Sequence, residues 1–230
     1  MIKVHSYESM GTYDGPGLRL VVFLQGCPFR CLYCANPDTI NFDGGTPTET
    51  DEIVRMAVNQ KPFFGRRGGV TFSGGEPTSQ ARELLPLVDK LHEEGIHICI
   101  DTNGGVWNPA VEELIGKIDL VLLDVKQINP ASHESLTGRS NVQTLKTAQW
   151  LEEHGKPFWL RYVLVPGISD FEEDIRSLGE HFKEFKMLQR VEILPYHTLG
   201  KHKYESLGWE YQLEHIPTTT PEQLDKAKRI

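Results

Sequence analysis

Apolar and polar positions alternate along this chain in two different rhythms, and the switching between them predicts its elements. Six short runs are almost wholly apolar: LRLVVFLQ (18–25), GVTFS (69–73), HICID (97–101), LVLLD (120–124), FWLRYVLV (158–165) and VEILP (191–195). Runs of this length, rich in β-branched and aromatic residues, read as parallel strands covered on both faces. Between them apolar residues recur at helical spacing over 79–94, 109–116, 141–154 and 170–185; Leu84, Leu85, Leu87 and Leu91 mark the first of these. Thr48 and Asp51 have capping-box spacing just ahead of EIVRMAV, which predicts a further helix start there. Strand–helix alternation implies right-handed crossovers and an α/β fold with mostly parallel strands. Six such units predict an open, partial (β/α)6 barrel, with a doubly wound sheet as the alternative. With no linker or low-complexity tract, residues 1–230 are expected to form one domain. The chain stops at Ile230 inside a helical pattern, PEQLDKAKRI, so a trimmed final helix is expected.

The unusual polar residues fall at the ends of the predicted strands. Gln25-Gly26-Cys27 follows the first, SGGEP (73–77) the second and DTNG (101–104) the third. DVK (124–126) ends the fourth, Arg161 sits in the fifth, and PYH (195–197) ends the sixth. Parallel α/β proteins build their active sites at the carboxyl ends of the strands. The chemistry of this chain is therefore expected on one rim.

Charge and cysteine usage narrow the setting. A net charge of −8 and a pI of about 5.6 argue against a general nucleic-acid or membrane-surface binder. No stretch approaches a membrane span, and the first residues, MIKVHSYESM, lack the apolar core of a signal peptide. Four cysteines in such a chain do not make a secreted disulfide framework. A cytoplasmic address is expected, where clustered thiols bind metal or do redox work.

Three of the four, Cys27, Cys31 and Cys34, form a C-x3-C-x2-C triplet in CPFRCLYC. A structural zinc site wants four closed ligands and would have to recruit Cys99 or a histidine. Cys99 lies in the apolar strand HICID, where a lone cysteine is usually a small hydrophobe. A thioredoxin-type pair, Cys31 with Cys34, leaves Cys27 unexplained. An iron–sulfur cubane normally takes four thiolates, so three would leave one iron open. On spacing alone a three-cysteine cluster, zinc and other roles all stay open, the cluster favoured.

CPFRCLYC resembles the cluster motif of the radical S-adenosylmethionine (radical SAM) enzymes, and SGGEP resembles their glycine-rich element that meets the cofactor's amino group. Within them the chain resembles the family that activates pyruvate formate-lyase. YDGPGLRLVVFLQGC, CLYCANPDT, GGVTFSGGEP, GIHICIDTNG, LLDVKQ, RYVLVPG and LPYHTLGKHKY match segments of that family in order, from about residue 4 to about 215. The resemblance implies a partial barrel of the radical SAM type. It also implies that Cys27, Cys31 and Cys34 hold a [4Fe-4S] cluster whose fourth iron is chelated by S-adenosylmethionine. Reductive cleavage of that cofactor would give a 5′-deoxyadenosyl radical, which takes a hydrogen atom from one glycine of pyruvate formate-lyase. The protein substrate would be left as a glycyl radical, ready for anaerobic work. The implied electron donor is flavodoxin or ferredoxin, and a monomer is expected.

The resemblance also assigns residues. Tyr33 and Ala35 flank the last cluster ligand and would contact the cofactor; Ala35 replaces a histidine found in some members. Gly74, Gly75 and Glu76 would meet the amino end of S-adenosylmethionine, against the plain reading of a tight turn. Asp124, Val125, Lys126 and Arg161 would lie along the cofactor, and His197 beside its ribose or adenine. Asp101, Thr102, Asp124 and the carbonyl of Leu122 would form a monovalent-cation site, since hard oxygens suit a hard cation. Asp14, in a turn by any reading, would touch the substrate peptide. GKHKY (200–204) is basic, and reads either as a partner surface or as a solvated face. The rivals are an activase of another glycyl-radical enzyme, a different radical SAM enzyme, and a non-catalytic metal or electron carrier. No cysteine lies between Cys34 and the second strand, so the inserted ferredoxin-like domain of many other activases is not expected.

Overall fold

The computed structural model covers residues 1–230 and shows two compact units. One comprises Met1–Pro28 and Thr39–Leu123, the other Phe29–Asp38 and Asp124–Ile230. The fold is α/β, and the strands of each unit pair mostly in parallel.

In the first unit β1 (Ile2–Gly11), β2 (Arg19–Leu24) and β3 (Thr46–Thr48) precede helix α1 (Thr50–Phe64). Then follow β4 (Gly69–Gly74), α2 (Ala81–Glu93), β5 (His97–Thr102), α3 (Pro109–Lys117) and β6 (Leu120–Asp124). The hydrogen-bonded order is β3-β1-β2-β4-β5-β6, with β2, β4, β5 and β6 parallel. These four are the first four apolar runs of the sequence. Their register stacks Leu20 with Val70 and Ile98, and Val22 with Phe72, Ile100 and Val121. All seven are buried. Alternation along a strand puts the intervening residues on the opposite face, and these are more polar: Arg19, Thr71, Ser73 and Asp101.

β1 and β3 are absent from the expected strands. β1 lies antiparallel to β2 with two register irregularities, and its middle is half-exposed. Its sequence, IKVHSYESMG, therefore never needed the continuous apolar pattern of a covered strand. The expected cap at Thr48 is also corrected. Thr48 belongs to β3, paired with Ile2, and its hydroxyl donates to the Thr46 carbonyl at 3.0 Å. The N-cap of helix α1 is instead Glu49, which makes no side-chain cap.

The second unit contains α4 (Pro130–Thr137), α5 (Val142–Glu153), β7 (Phe158–Leu164), α6 (Glu172–Phe182), β8 (Leu188–Pro195), α7 (Lys201–Leu207) and α8 (Pro221–Arg229). β7 and β8 are parallel. β7 is buried through Phe158, Leu160, Tyr162 and Leu164. β8 is largely exposed, unlike the covered strand its apolar residues suggest. Helix α8 opens with a complete capping box between Thr220 and Gln223.

The interior of the first unit holds an arginine with no exposed surface. Arg19 Nε donates to Thr71 Oγ1 at 2.5 Å, Nη1 to the Pro16 carbonyl at 2.9 Å, and Nη2 to the Val70 carbonyl at 2.6 Å. Thr71 Oγ1 in turn donates to the Asp14 carbonyl at 2.6 Å. The Asp14–Gly17 turn is thus pinned from below by β2 and β4. Burial pulls the Arg19 pKa down, although Cys99, Asp14 and Asp119 pull the other way. Replacing Arg19 with Met should lower unfolding free energy by about 3–5 kcal/mol, the range for stripping partners from buried polar groups. Urea unfolding of the two proteins checks this; coincident midpoints would contradict it.

Candidate functional site

In the first unit the carboxyl ends of β2, β4 and β5 are tied together around one carboxylate. Glu76 is fully buried and caps the short 3-10 turn Pro77–Gln80. Its Oε1 accepts from the Thr78 amide (3.0 Å), the Thr78 hydroxyl (2.6 Å) and the Thr102 hydroxyl (2.7 Å). Its Oε2 accepts from the Asn103 amide at 2.8 Å. Burial pushes the Glu76 carboxyl up, and these hydrogen bonds work against that rise. A carboxylate so supplied with donors is held in place, at a cost that its partners offset.

The loop before Glu76 lies close against the cysteine loop. The Glu76 amide donates to the Gly26 carbonyl, and the Gly75 amide to the Leu24 carbonyl, both at 2.8 Å. The Gly26 and Cys27 amides donate to the carbonyls of Thr39 and Ile40 at 2.7 and 3.0 Å. Gly74 has φ +106, and a Cβ there would meet the Leu24 amide nitrogen at 2.4 Å. A Cβ on Gly75 would meet the Gly26 carbonyl oxygen at 2.4 Å. Glycine at both positions permits this close backbone approach. Asp101 Oδ2 accepts from the Ser73 hydroxyl at 2.9 Å, and Leu122 sits opposite Asp101 in the β5–β6 ladder. Thr102, besides serving Glu76, accepts the Gly104 amide at 3.0 Å. Cys99 is buried on β5 with its sulfur 3.8 Å from His97 Nδ1. Burial pushes its thiol up to about 12, as the reading of an inert packed thiol requires.

The second unit braces the rest of the cysteine loop from two sides. The amides of Arg30 and Leu32, on either side of Cys31, donate to the Thr137 and Leu136 carbonyls at 2.8 and 3.0 Å. These are the free carbonyls that any helix leaves at its C-terminus, here those of α4, which closes on left-handed Gly138. Tyr204 donates through its hydroxyl to the Cys34 carbonyl at 3.1 Å. Lys203 reaches Asn36 Oδ1 at 2.8 Å and Asp38 at 3.1 Å. Ala35 packs on Gly200, where a Cβ would come within 2.7 Å of the Ala35 carbonyl oxygen. GKHKY therefore includes internal struts for the loop, which neither reading of it as surface foresaw.

Cys31 and Cys34 carry raised thiol pKa values, Cys31 up to about 12, because burial outweighs the pull of nearby Lys126. Lys126 pairs with Asp124 at 2.7 Å and lies 5.8 Å from the Tyr33 ring centre. Burial opposes its charge, but Asp124, Tyr33 and Cys31 hold its pKa well above the usual value. The Val125 amide donates to the Arg161 carbonyl at 3.0 Å, and the Arg161 guanidinium donates to Glu192 Oε2 at 3.1 Å. Glu192 pairs also with Arg190 at 3.2 Å; the sequence reading missed it. His197 is exposed just past β8, its Nδ1 accepting the Leu199 amide at 3.4 Å. Asp14 lies at the opposite, amino end of β2, in the turn that Arg19 holds.

Comparison with known proteins places this arrangement. The radical SAM superfamily pattern matches residues 21–179. The chain belongs to the radical SAM superfamily. It is 45% identical over 235 residues to a pyruvate formate-lyase-activating enzyme of Streptococcus mutans, covering 99% of this chain and 89% of that one. The pyruvate formate-lyase 1-activating enzyme of Escherichia coli K12 is 42% identical over 231 residues, covering 99% and 94%. The Staphylococcus epidermidis activating enzyme is 46% identical over 234 residues, covering 98% and 93%. Within the superfamily the chain therefore belongs with the pyruvate formate-lyase-activating enzymes. Among solved structures, a domain of such an enzyme from Bacteroides vulgatus has a TM-score of 0.59 at 24% identity, covering 70% of this chain and 91% of that one. A radical SAM methyltransferase from Sphaerobacter thermophilus has a TM-score of 0.66 at 17% identity, covering 92% and 62%. These two share the fold.

The family implies a [4Fe-4S] cluster and S-adenosylmethionine. Three thiols within eight residues, none of them in a disulfide, are the soft donors an iron–sulfur cluster takes. The Tyr33 hydroxyl, buried near Cys31 without a hydrogen-bond partner, marks a polar place the chain itself leaves unsatisfied. The residues present fit the group.

The Gly75 contact gives a test. Gly75→Ala forces the Gly26 carbonyl aside and should destabilise the fold by about 1–3 kcal/mol. Displacing Gly26 moves Cys27 as well, so the variant should retain less iron per chain after anaerobic reconstitution. Gly179→Ala, with nothing within 4 Å of the added carbon, should keep its iron. Equal iron in both would contradict the close-approach account.

Proposed function

We propose that this chain activates pyruvate formate-lyase by installing a glycyl radical on it. The observation that carries this reading is similarity at 42–46% identity along almost the whole chain to enzymes of that name. Bound to this chain, the cluster and S-adenosylmethionine would supply one-electron cleavage of a carbon–sulfur bond and, through it, abstraction of a hydrogen atom from a glycine Cα.

The residues divide the remaining work. Cys27, Cys31 and Cys34 hold three corners of the cluster. Gly74 and Gly75 bring backbone to the amino end of S-adenosylmethionine, while Glu76 fixes that loop against Thr102 and Asn103. Tyr33 and Ala35 border the cofactor at the last cysteine. Lys126 contributes positive charge next to Cys31, held by Asp124, and Val125 keeps this segment on the Arg161 strand. Arg161 and His197 act toward the carboxylate and the nucleoside side of the cofactor. Asp101, Thr102, Asp124 and the Leu122 carbonyl supply hard oxygens for a monovalent cation. Asp14 meets the glycine-bearing peptide. The single domain of residues 1–230 works as a cytoplasmic monomer reduced by flavodoxin or ferredoxin. No helix is long and apolar enough to cross a membrane.

Two experiments test this. Mixed anaerobically with pyruvate formate-lyase, S-adenosylmethionine and a reductant, the reconstituted protein should produce a glycyl-radical resonance and lyase activity together. Cofactor cleavage without that resonance would assign another client. Separately, serine at Cys27, Cys31 or Cys34 should abolish cofactor cleavage, whereas Cys99→Ser should leave iron content unchanged. A Cys99→Ser protein without iron would overturn the ligand assignment.

A further inference from the structure

Asn103 follows Thr102 at the end of β5 and is 6% exposed. Both its backbone and its side chain are fixed. Its amide donates to Glu76 Oε2 at 2.8 Å. Its Oδ1 accepts the Gly105 amide at 2.8 Å, which settles the orientation of the carboxamide, since only the oxygen can accept that hydrogen. The amide nitrogen must then occupy the other branch, and there Nδ2 points to Cys27 Sγ at 3.9 Å. A neutral N–H donor is thus held toward one thiol of the cysteine triplet by a buried carboxylate and a tight turn.

We propose that Asn103 is a tuning residue for the cluster: its carboxamide donates an N–H···S hydrogen bond to the Cys27 thiolate and raises the cluster's reduction potential. The proposal rests on the radical SAM cluster being held by Cys27. A sulfur that ligates iron carries more negative charge than a thiol and accepts more strongly. Reduction adds further negative charge, part of it on the sulfurs, so a donor there favours the reduced state. Hydrogen bonds to sulfur are among the levers that set iron–sulfur potentials. Because Glu76 holds the Asn103 backbone, the same carboxylate that shapes the glycine-rich loop also aims this donor.

The test is anaerobic redox titration of reconstituted wild type, Asn103→Ser and Asn103→Asp, read by electron paramagnetic resonance of the reduced cluster beside iron and sulfide analysis. Serine keeps an oxygen for the Gly105 amide but offers no donor that reaches the sulfur. Aspartate keeps the shape and the Gly105 contact, and replaces the donor by a charged acceptor. Both should bind as much iron as wild type. At a fixed potential the ratio of reduced to oxidised cluster should fall about tenfold in the serine variant, equal to about 59 mV for a one-electron couple. It should fall further in the aspartate variant. Unchanged potentials in loaded variants would sink the proposal alone. Loss of iron from both would also overturn it, making Asn103 a structural residue. A wild type that holds no four-iron cluster would sink the reading beneath it as well.

Discussion

In the first unit, three strand ends depend on one buried residue, Glu76. Glu76 sits where water cannot reach it, so its two oxygens must be supplied with donors from the chain, or burial would leave them unsatisfied. The supply comes from Thr78, Thr102 and Asn103. These bonds join the end of β4 to the end of β5. The amide of the same residue holds Gly26, and so the start of the cysteine loop. Remove the carboxyl group and its donors lose a common acceptor. The glycines beside it then lose the constraint that makes their close approach to β2 worthwhile.

The rest of the cysteine loop is held by a different physical device. Residues flanking Cys31 take the last carbonyls of α4, groups that every helix must satisfy somehow. Tyr204 and Lys203 brace the loop at Cys34 and Asp38. Backbone hydrogen bonds and two side-chain struts thus define a short segment that has no regular structure of its own. This matters for chemistry on a metal cluster, because ligands on a slack loop would cost ordering entropy with every assembly. With thiol pKa values raised by burial at Cys31 and Cys34, both would have to give up a proton on binding a metal.

Much of this was legible in the sequence, and the limits have physical causes. The parallel strands announced themselves because covering both faces demands unbroken apolar runs, as in LVLLD, which forms β6. Their positions then put Cys27, Gly74–Glu76 and Thr102 at the carboxyl ends of neighbouring strands. β1 escaped notice because an antiparallel strand with an exposed middle needs no such run. Thr48 was misread because a serine or threonine three residues before an acid satisfies a capping pattern whether or not the backbone is free to cap; β3 claimed it first. Asn103 and Glu192 were missed because their significance lies in partners distant along the chain, Cys27 and Arg161. No local pattern marks such pairs. Glu76 was recognised, but by its motif and not for the inward hydrogen bonds that occupy its carboxylate.

The central proposal is that Cys27, Cys31 and Cys34 would hold a [4Fe-4S] cluster with one iron left open for S-adenosylmethionine. Mössbauer spectroscopy of iron-57-labelled, oxygen-free protein with and without the cofactor tests it most directly. One iron of four should change its isomer shift and quadrupole splitting on cofactor addition, the other three staying as they were. Four irons indifferent to the cofactor, or a tetrahedral zinc in place of iron, would contradict the account.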